Sequence, residues 1–205
     1  MKAIVYIKNG RRKELILREV AKPVPKENEV LVKIAAVSIN AADYRSLRMG
    51  NIPRHGIYGA DIAGRVESVG EEVKLFKCGD AVFGDLADWG FGGFAEYVAV
   101  AEDALASIPP GVAYETAACL PIAGLTALQA LRDKGKIKAG QKVLIYGAGG
   151  GVGSFAVQLA KYYGVEVTAV CSPNNVEQTR RLGADEVIDY TQDDCFRNSR
   201  QYDLI

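Results

Sequence analysis

The first hundred residues carry short apolar segments, Ala3 to Ile7, Val30 to Ala36, Ala63 to Val69, Ala81 to Phe83 and Phe94 to Val100. Turn-forming residues divide them, at Asn9-Gly10, Pro23 to Pro25, Cys78-Gly79-Asp80 and Gly92-Gly93. Segments of that length between such breakers predict strands, and their close succession predicts an antiparallel barrel or sandwich. From Tyr114 the spacing of apolar positions turns helical, over Thr116 to Leu120 and then Leu125 to Leu131. Asp103 to Pro110, with paired prolines ahead of Gly111, reads as a connector. The boundary falls near residues 112 to 118, which gives a first region over 1–115 and a second over 116–205.

The second region has the order of a βαβ unit. Val143-Leu144-Ile145-Tyr146 is a short buried-type strand, and Gly147-Ala148-Gly149-Gly150-Gly151-Val152-Gly153-Ser154 follows it. A helix then runs through Ala160, Gly164 ends it, and Val165 to Val170 forms a second strand. A strand that turns at once into a helix needs glycine, which allows positive φ and lets a diphosphate approach the backbone amides. The new helix directs free N–H groups and its positive dipole end at those phosphates. Gly147, Ala148, Gly149, Gly150, Gly151 and Val152 are therefore the candidate phosphate-binding residues. The spacing, Gly147-x-x-Gly150-x-x-Gly153, departs from a strict G-x-G-x-x-G, and an empty βα turn is the alternative. A helix around Asn175 to Leu182, a cap at Gly183 and a strand over Glu186 to Asp189 come next, and Tyr202 to Ile205 begins a fourth strand. A doubly wound dinucleotide fold has two βαβαβ halves and only the first is written here, so the chain is expected to be a piece of a longer protein.

Composition narrows the classes. The chain has 205 residues, 49% of them hydrophobic, with 25 Lys plus Arg against 25 Asp plus Glu, so it can bury a core and has no global field to draw nucleic acid or an anionic membrane. No apolar run approaches the roughly 20 residues of a membrane helix. Short charge runs such as Arg11-Arg12-Lys13 and Arg180-Arg181 read as solvated surface. Cys78, Cys119, Cys171 and Cys195 form no C-x-x-C pair, which fits reduced thiols and a cytosolic protein. With His55 as its one histidine, the chain is expected to hold no metal.

Enzymes that take the unphosphorylated dinucleotide usually close the second strand with a carboxylate on the ribose hydroxyls. Here that strand runs into Cys171-Ser172-Pro173-Asn174-Asn175. Nothing there repels a 2′-phosphate, and Ser172, Asn175 and Tyr190, with Arg180 or Arg181 in range, can bond to one. The expected cofactor is NADPH. Ser, Pro and Asn also make a good turn and helix cap, so the segment has a purely structural reading as well.

Lys142 to Gly153, Gln158-Leu159-Ala160-Lys161, Leu182-Gly183-Ala184-Asp185 and Val187-Ile188-Asp189-Tyr190 resemble the medium-chain dehydrogenase/reductase superfamily. The resemblance extends through Val37 to Asp43, Gly59-Ala60-Asp61-Ile62-Ala63-Gly64, Gly79 to Gly84 and Gly93 to Tyr97, so it spans the chain in order. It is strongest to the zinc-independent quinone oxidoreductase branch. It implies a mixed fold, an N-terminal GroES-like β-barrel domain followed by an incomplete α/β Rossmann domain, with a homodimer joined through the missing half. In zinc-dependent relatives a Cys stands at Asn40, a His-Glu pair at Ala60-Asp61 and a proton-relaying hydroxyl at Ala42. Neither Asn40 nor Ala60 can replace those ligands, which disfavours metal-activated alcohol oxidation.

Hydride transfer from NADPH to a quinone, or to the β-carbon of an α,β-unsaturated carbonyl, needs neither metal nor a strong base, since the nicotinamide carries the hard chemistry. The resemblance implies that Asn40 and Tyr44 face substrate and nicotinamide, that Asp43 supports their loop, and that Thr126 lies near the cofactor amide. Each also has a structural reading: Asn40 and Asp43 as caps of the following helix, Tyr44 as a surface residue, Thr126 as back-bonded within its helix. Two departures concern the cofactor site. Many relatives have a Lys near Asn175, and a small polar residue is frequent at the position of Gly149. The rival functions are a zinc-type dehydrogenase acting on alcohols and a non-catalytic, crystallin-like or sensing NADPH-binding protein.

Overall fold

The computed structural model describes residues 1–9, 12–53, 55–193 and 201–205. Gly10 of the first expected turn, Arg11 of the first charge run and Cys195 lie outside the described residues. The chain divides into two compact units, Met1–Ile122 and Ala123–Ile205.

The first unit opens with a hairpin of β1, Lys2–Asn9, and β2, Arg12–Glu19. The second strand is an addition to the sequence reading. Its side chains give little buried signal, with Leu15 and Leu17 41% and 67% exposed. The main sheet is antiparallel and follows the order β6-β3-β4-β5-β7. Its strands are β3, Glu29–Val37, β4, Asp61–Val69, β5, Ala81–Asp85, β6, Tyr97–Ala101, and β7, Leu105–Ser107. Two register shifts interrupt the ladder between β3 and β4, at Leu31/Val32 and Ile34/Ala36, as β-bulges do. Val30, Val32, Ile62, Val66, Val82 and Leu86 fill the core on its inner face.

Two corrections follow. Phe94 to Glu96 precede the strand instead of beginning it: the Phe94 carbonyl accepts from the Ile4 N–H at 2.8 Å, and Ala95 bridges Ala3. The expected connector over Asp103 to Pro110 contains β7, whose three residues pair with β5 before the prolines stop the ladder. Helix α1, Ala41–Met49, lies between β3 and β4, and α2, Tyr114–Ala118, packs on the sheet through Ala117 and Ala118.

Helix α3, Pro121–Leu128, widens into a π-helical turn over Gln129–Lys134. The second unit is then built on three parallel strands, β8, Lys142–Tyr146, β9, Glu166–Cys171, and β10, Glu186–Asp189, in the order β10-β9-β8. Helix α4, Gly151–Tyr162, links β8 to β9, and α5, Val176–Arg181, links β9 to β10. Val143, Ile145, Val157, Ala160 and Val167 form the core between sheet and helices. Leu144, Val170 and Ile188 bury the other face with Tyr202 packed against them. The expected fourth strand is started: Leu204 bridges Val143 in parallel and its carbonyl accepts from the Leu144 N–H at 2.9 Å.

Candidate functional site

The first unit gathers its polar groups around the start of α1. A helix beginning at Ala41 leaves N–H groups without intrahelical partners. Asp43, in the first turn, turns its carboxylate back: Oδ2 accepts from the Asn40 N–H at 2.7 Å, and Oδ1 accepts from the N–H groups of Gly59 and Ala60 at 3.2 and 3.1 Å. One carboxylate thus ties the helix start to the backbone that enters β4. That backbone passes close to the chain at Phe94. Gly59 has φ +98°, and a Cβ there would lie 2.5 Å from the Phe94 nitrogen, so only glycine lets the two segments meet.

Asn40 does not leave its amide free. Its Nδ2 donates to Ser38 Oγ at 2.9 Å and to Asp61 Oδ2 at 3.0 Å. A side-chain amide has two N–H donors, and both are used, so Asn40 is held as an acceptor through Oδ1. Tyr44 is 45% exposed on α1, with the Arg48 guanidinium 5.6 Å from its ring centroid.

Asp61 is the residue that sequence reasoning passed over; it was given no role beyond its place in the Gly59-to-Gly64 stretch and opposite the Glu of the zinc-dependent relatives. It is fully buried and accepts from Asn40, from Ser38 Oγ at 3.3 Å, and from the Ile122 N–H at 3.2 Å to each oxygen. Burial, with the charge of Asp85 added, pushes its carboxyl up to about 6 even though those donors pull the other way. Burial also raises Asp43 and Asp85 above the ordinary carboxylate range. Asp85 stands beside Asp61 in the β4–β5 register and accepts from the Ala87 N–H at 2.8 Å. A signal was available: a carboxylate at the first position of a strand otherwise reading Ile-Ala-Gly, where an unpaired charge could not be buried.

In the second unit the glycine loop is shaped by its own backbone. The N–H groups of Gly147 and Ala148 both donate to the Val170 carbonyl, at 3.0 and 2.9 Å, and the Gly150 N–H donates to the Gly147 carbonyl at 3.0 Å. Ala148 is fully buried. These groups fold the cradle. The first bond of α4 runs from the Ser154 N–H to the Gly150 carbonyl, so the N–H groups of Gly151, Val152 and Gly153 precede the helical ladder. Gly147 has φ +77°, and nothing lies within 4 Å of where its Cβ would be.

Ser172, Asn175 and Tyr190 come together at the end of β9. Asn175 Nδ2 donates to Ser172 Oγ at 3.1 Å, and the Tyr190 N–H donates to the Cys171 carbonyl at 3.3 Å. Tyr190 is 53% exposed. Of the two arginines in range, Arg181 pairs with Glu177 at 3.1 Å on the exposed side of α5. Thr126 is exposed on α3.

The chain matches the alcohol dehydrogenase GroES-like domain over residues 26–110 and a zinc-binding dehydrogenase domain over residues 151–200. Architecture and loops together define a medium-chain dehydrogenase/reductase. The chain belongs to that superfamily, in its quinone oxidoreductase branch. It is 44% identical over 183 residues to the chloroplast envelope quinone oxidoreductase homolog of Arabidopsis thaliana, covering 84% of this chain and 55% of that protein. It is 32% identical to the quinone oxidoreductase of Coxiella burnetii, with a TM-score of 0.88 over 100% of this chain and 68% of that one. The Escherichia coli quinone oxidoreductase solved in complex with NADPH superposes with a TM-score of 0.82 at 28% identity, over 94% of this chain and 59% of that one. The chain spans about half the length of the curated relatives it matches.

The metal in the second domain's family description does not fit these residues. Among the described residues no group of three or more His, Cys, Asp or Glu could hold a metal ion, and Asp61 already spends its oxygens on four N–H and O–H contacts. A dinucleotide does fit. The N–H groups of Gly151, Val152 and Gly153 precede the helical ladder, the space where a Gly147 side chain would lie is open, and the end of β9 presents a hydroxyl and an amide with no carboxylate.

Proposed function

We infer that this chain carries the substrate-binding part and the first half of the cofactor-binding part of an NADPH-dependent, zinc-independent oxidoreductase that reduces quinones or α,β-unsaturated carbonyls. The observation that carries this reading is the glycine cradle: its inner amides are consumed in holding its own shape, and the next ones, at the start of a twelve-residue helix, are free of the helical ladder. When bound, the nicotinamide supplies the hydride.

The chain's own residues do the rest. Gly151, Val152 and Gly149 are assigned the diphosphate, while Gly147, Ala148 and Gly150 hold the loop that presents them. Ser172 and Tyr190 are assigned the adenosine ribose and its 2′-phosphate, with Asn175 beside them bonded to Ser172 Oγ, and Thr126 the nicotinamide amide. The NADPH complex of the Escherichia coli relative supports the phosphorylated cofactor. In the first unit Asp43 fixes the loop that carries Asn40 and Tyr44. Asn40, with both amide hydrogens engaged, orients through Oδ1, which leaves the Tyr44 hydroxyl as the donor to a carbonyl oxygen on which negative charge develops. A quinone is a doubly conjugated enone, so one site built on these groups serves both acceptors.

A cytosolic setting and a homodimer in the complete protein belong to the same reading. Free Cys78, Cys119 and Cys171 support the first, and no helix among the described residues is long and apolar enough to cross a membrane. The test is a fluorescence titration of the complete protein with NADPH and NADH, followed by a quinone and enone screen with and without chelator. Tighter NADPH binding and a chelator-insensitive rate are expected. A rate that requires added zinc would overturn the reading, and tight NADPH binding without turnover across the panel would assign a non-catalytic role.

A further inference from the structure

We propose that Asn175 and Gly149 are a matched pair in which Asn175 occupies the place of a side chain at 149 and thereby fixes Ser172 as a hydrogen-bond donor for the cofactor's 2′-phosphate. This rests on the dinucleotide reading above and adds a specific mechanism for its selectivity.

A Cβ built on Gly149 would lie 2.3 Å from Asn175 Nδ2, 2.5 Å from its Cβ and 2.6 Å from its Cγ. The conflict with Cβ is the informative one. Rotating the Asn175 amide moves Nδ2 away but leaves Cβ where it is, so any side chain at 149 must displace the backbone at 175. That backbone is constrained. Pro173–Asn175 form a 3₁₀ turn, the Asn175 N–H donates to the Ser172 carbonyl at 2.9 Å, and Asn175 is the N-cap position of α5. The bare glycine therefore lets the turn after β9 close onto the phosphate loop by about the thickness of a methylene group.

The closed turn sets a hydrogen-bond polarity. Asn175 Nδ2 donates to Ser172 Oγ at 3.1 Å. A hydroxyl that accepts one bond from within keeps its single proton to donate elsewhere. Ser172 is partly exposed at the end of β9, and neither it nor the residues through Asn175 carry a negative charge. A donor in that position suits a phosphate oxygen. Asn175 is thus a positioning residue whose contribution passes through Ser172, and Gly149 is the residue that makes room for it.

The experiment uses this chain with two adenosine probes, adenosine 2′,5′-bisphosphate and 5′-AMP, whose affinities are measured by calorimetric titration. Losing one hydrogen bond to a charged oxygen, S172A is expected to weaken the bisphosphate about tenfold and to leave 5′-AMP within about twofold. N175A reproduces the direction at smaller size, and N175A/S172A is no weaker than S172A alone, because both act along one path. Additive losses in the double variant would show that Asn175 contacts the phosphate itself and would overturn the proposal, as would an unchanged bisphosphate affinity in N175A. Thermal melting supplies the second arm: G149A lowers Tm, N175G restores it in the G149A background, and N175A, which keeps Cβ, restores it only in part. Full rescue by N175A would contradict the backbone argument. Failure of wild type to bind either probe would instead strike the dinucleotide reading, while a wild type that binds both equally would strike the selectivity alone.

Discussion

The two units make their sites in opposite ways. The first uses side chains to satisfy backbone: Asp43 and Asp61 are buried carboxylates that accept N–H groups from Asn40, Gly59, Ala60 and Ile122, residues far apart in sequence. The second uses backbone: within Gly147 to Gly153 the shape comes from N–H to carbonyl bonds inside the loop and to Val170, and the glycines leave room for the chain to pack close. A site made of buried carboxylates has its energy in desolvation and hydrogen bonding, so it responds to pH. A site made of glycine has its energy in close packing, so it responds to a single added carbon.

The largest effect is expected where that carbon is least tolerated. A Cβ on Gly153 would stand 2.2 Å from the Gly147 carbonyl oxygen and 2.7 Å from Ala148 Cα, both backbone atoms. G153A should cost about 3 kcal/mol of stability in urea unfolding and abolish adenosine-probe binding. A cost near zero would mean that the cradle is not held by packing.

The first unit is expected to show its difference as a pH dependence. Asp61 titrates near 6 when folded against the ordinary 3.8, so the folded state binds its proton more tightly than the unfolded state. Stability then falls as pH rises through that window, by on the order of 2 kcal/mol from Asp61, with Asp43 and Asp85 acting in the same direction. D61N should flatten this portion of the unfolding free energy measured from pH 4 to pH 7. A wild-type curve that rises throughout would show that Asp61 is solvated.

D61A asks what the carboxylate holds. It leaves the Ile122 N–H and the Asn40 amide without their acceptor, which should cost about 1 to 2 kcal/mol, more at pH 5 than at pH 8 because relief of the buried charge offsets part of the loss at high pH. Equal costs at the two values would separate the hydrogen bonds from the charge. The smallest effect should have the opposite sign. Gly124 lies within α3 and nothing lies within 4 Å of its added Cβ, so G124A should stabilise the chain by about 0.5 to 1 kcal/mol, read from the urea midpoint. Destabilisation there would mark a contact that this glycine's backbone needs.

The extent to which each site was legible follows from the same contrast. Val143 to Val170 states strand, cradle, helix and strand within one stretch, and the observed β8, α4 and β9 lie within a residue or two of the reading. The β10 strand is as expected. What local pattern missed is what pays its hydrogen bonds or burial to distant partners. The β2 strand shows apolar side chains to solvent, and β7 has only three residues ahead of its prolines, so neither carries a periodicity of its own. The partners of the Asn40 amide were not legible either: its hydrogens are committed to Ser38 and Asp61, twenty-one residues away in the second case.

Sequence alone determined the order of elements from β8 to β10, the glycine cradle, the missing carboxylate after β9 and the absence of a thiolate or imidazole at Asn40 and Ala60, because each is a matter of residue type or of neighbours along the chain. Only the tertiary structure decided which amides of the cradle are spent on its own shape, that Asn175 fills the space over Gly149, and that Asp61 is buried with its carboxyl pushed up to about 6. Those depend on distances between segments that the chain brings together on folding, and desolvation and steric exclusion act through distance in space, whatever the separation in sequence.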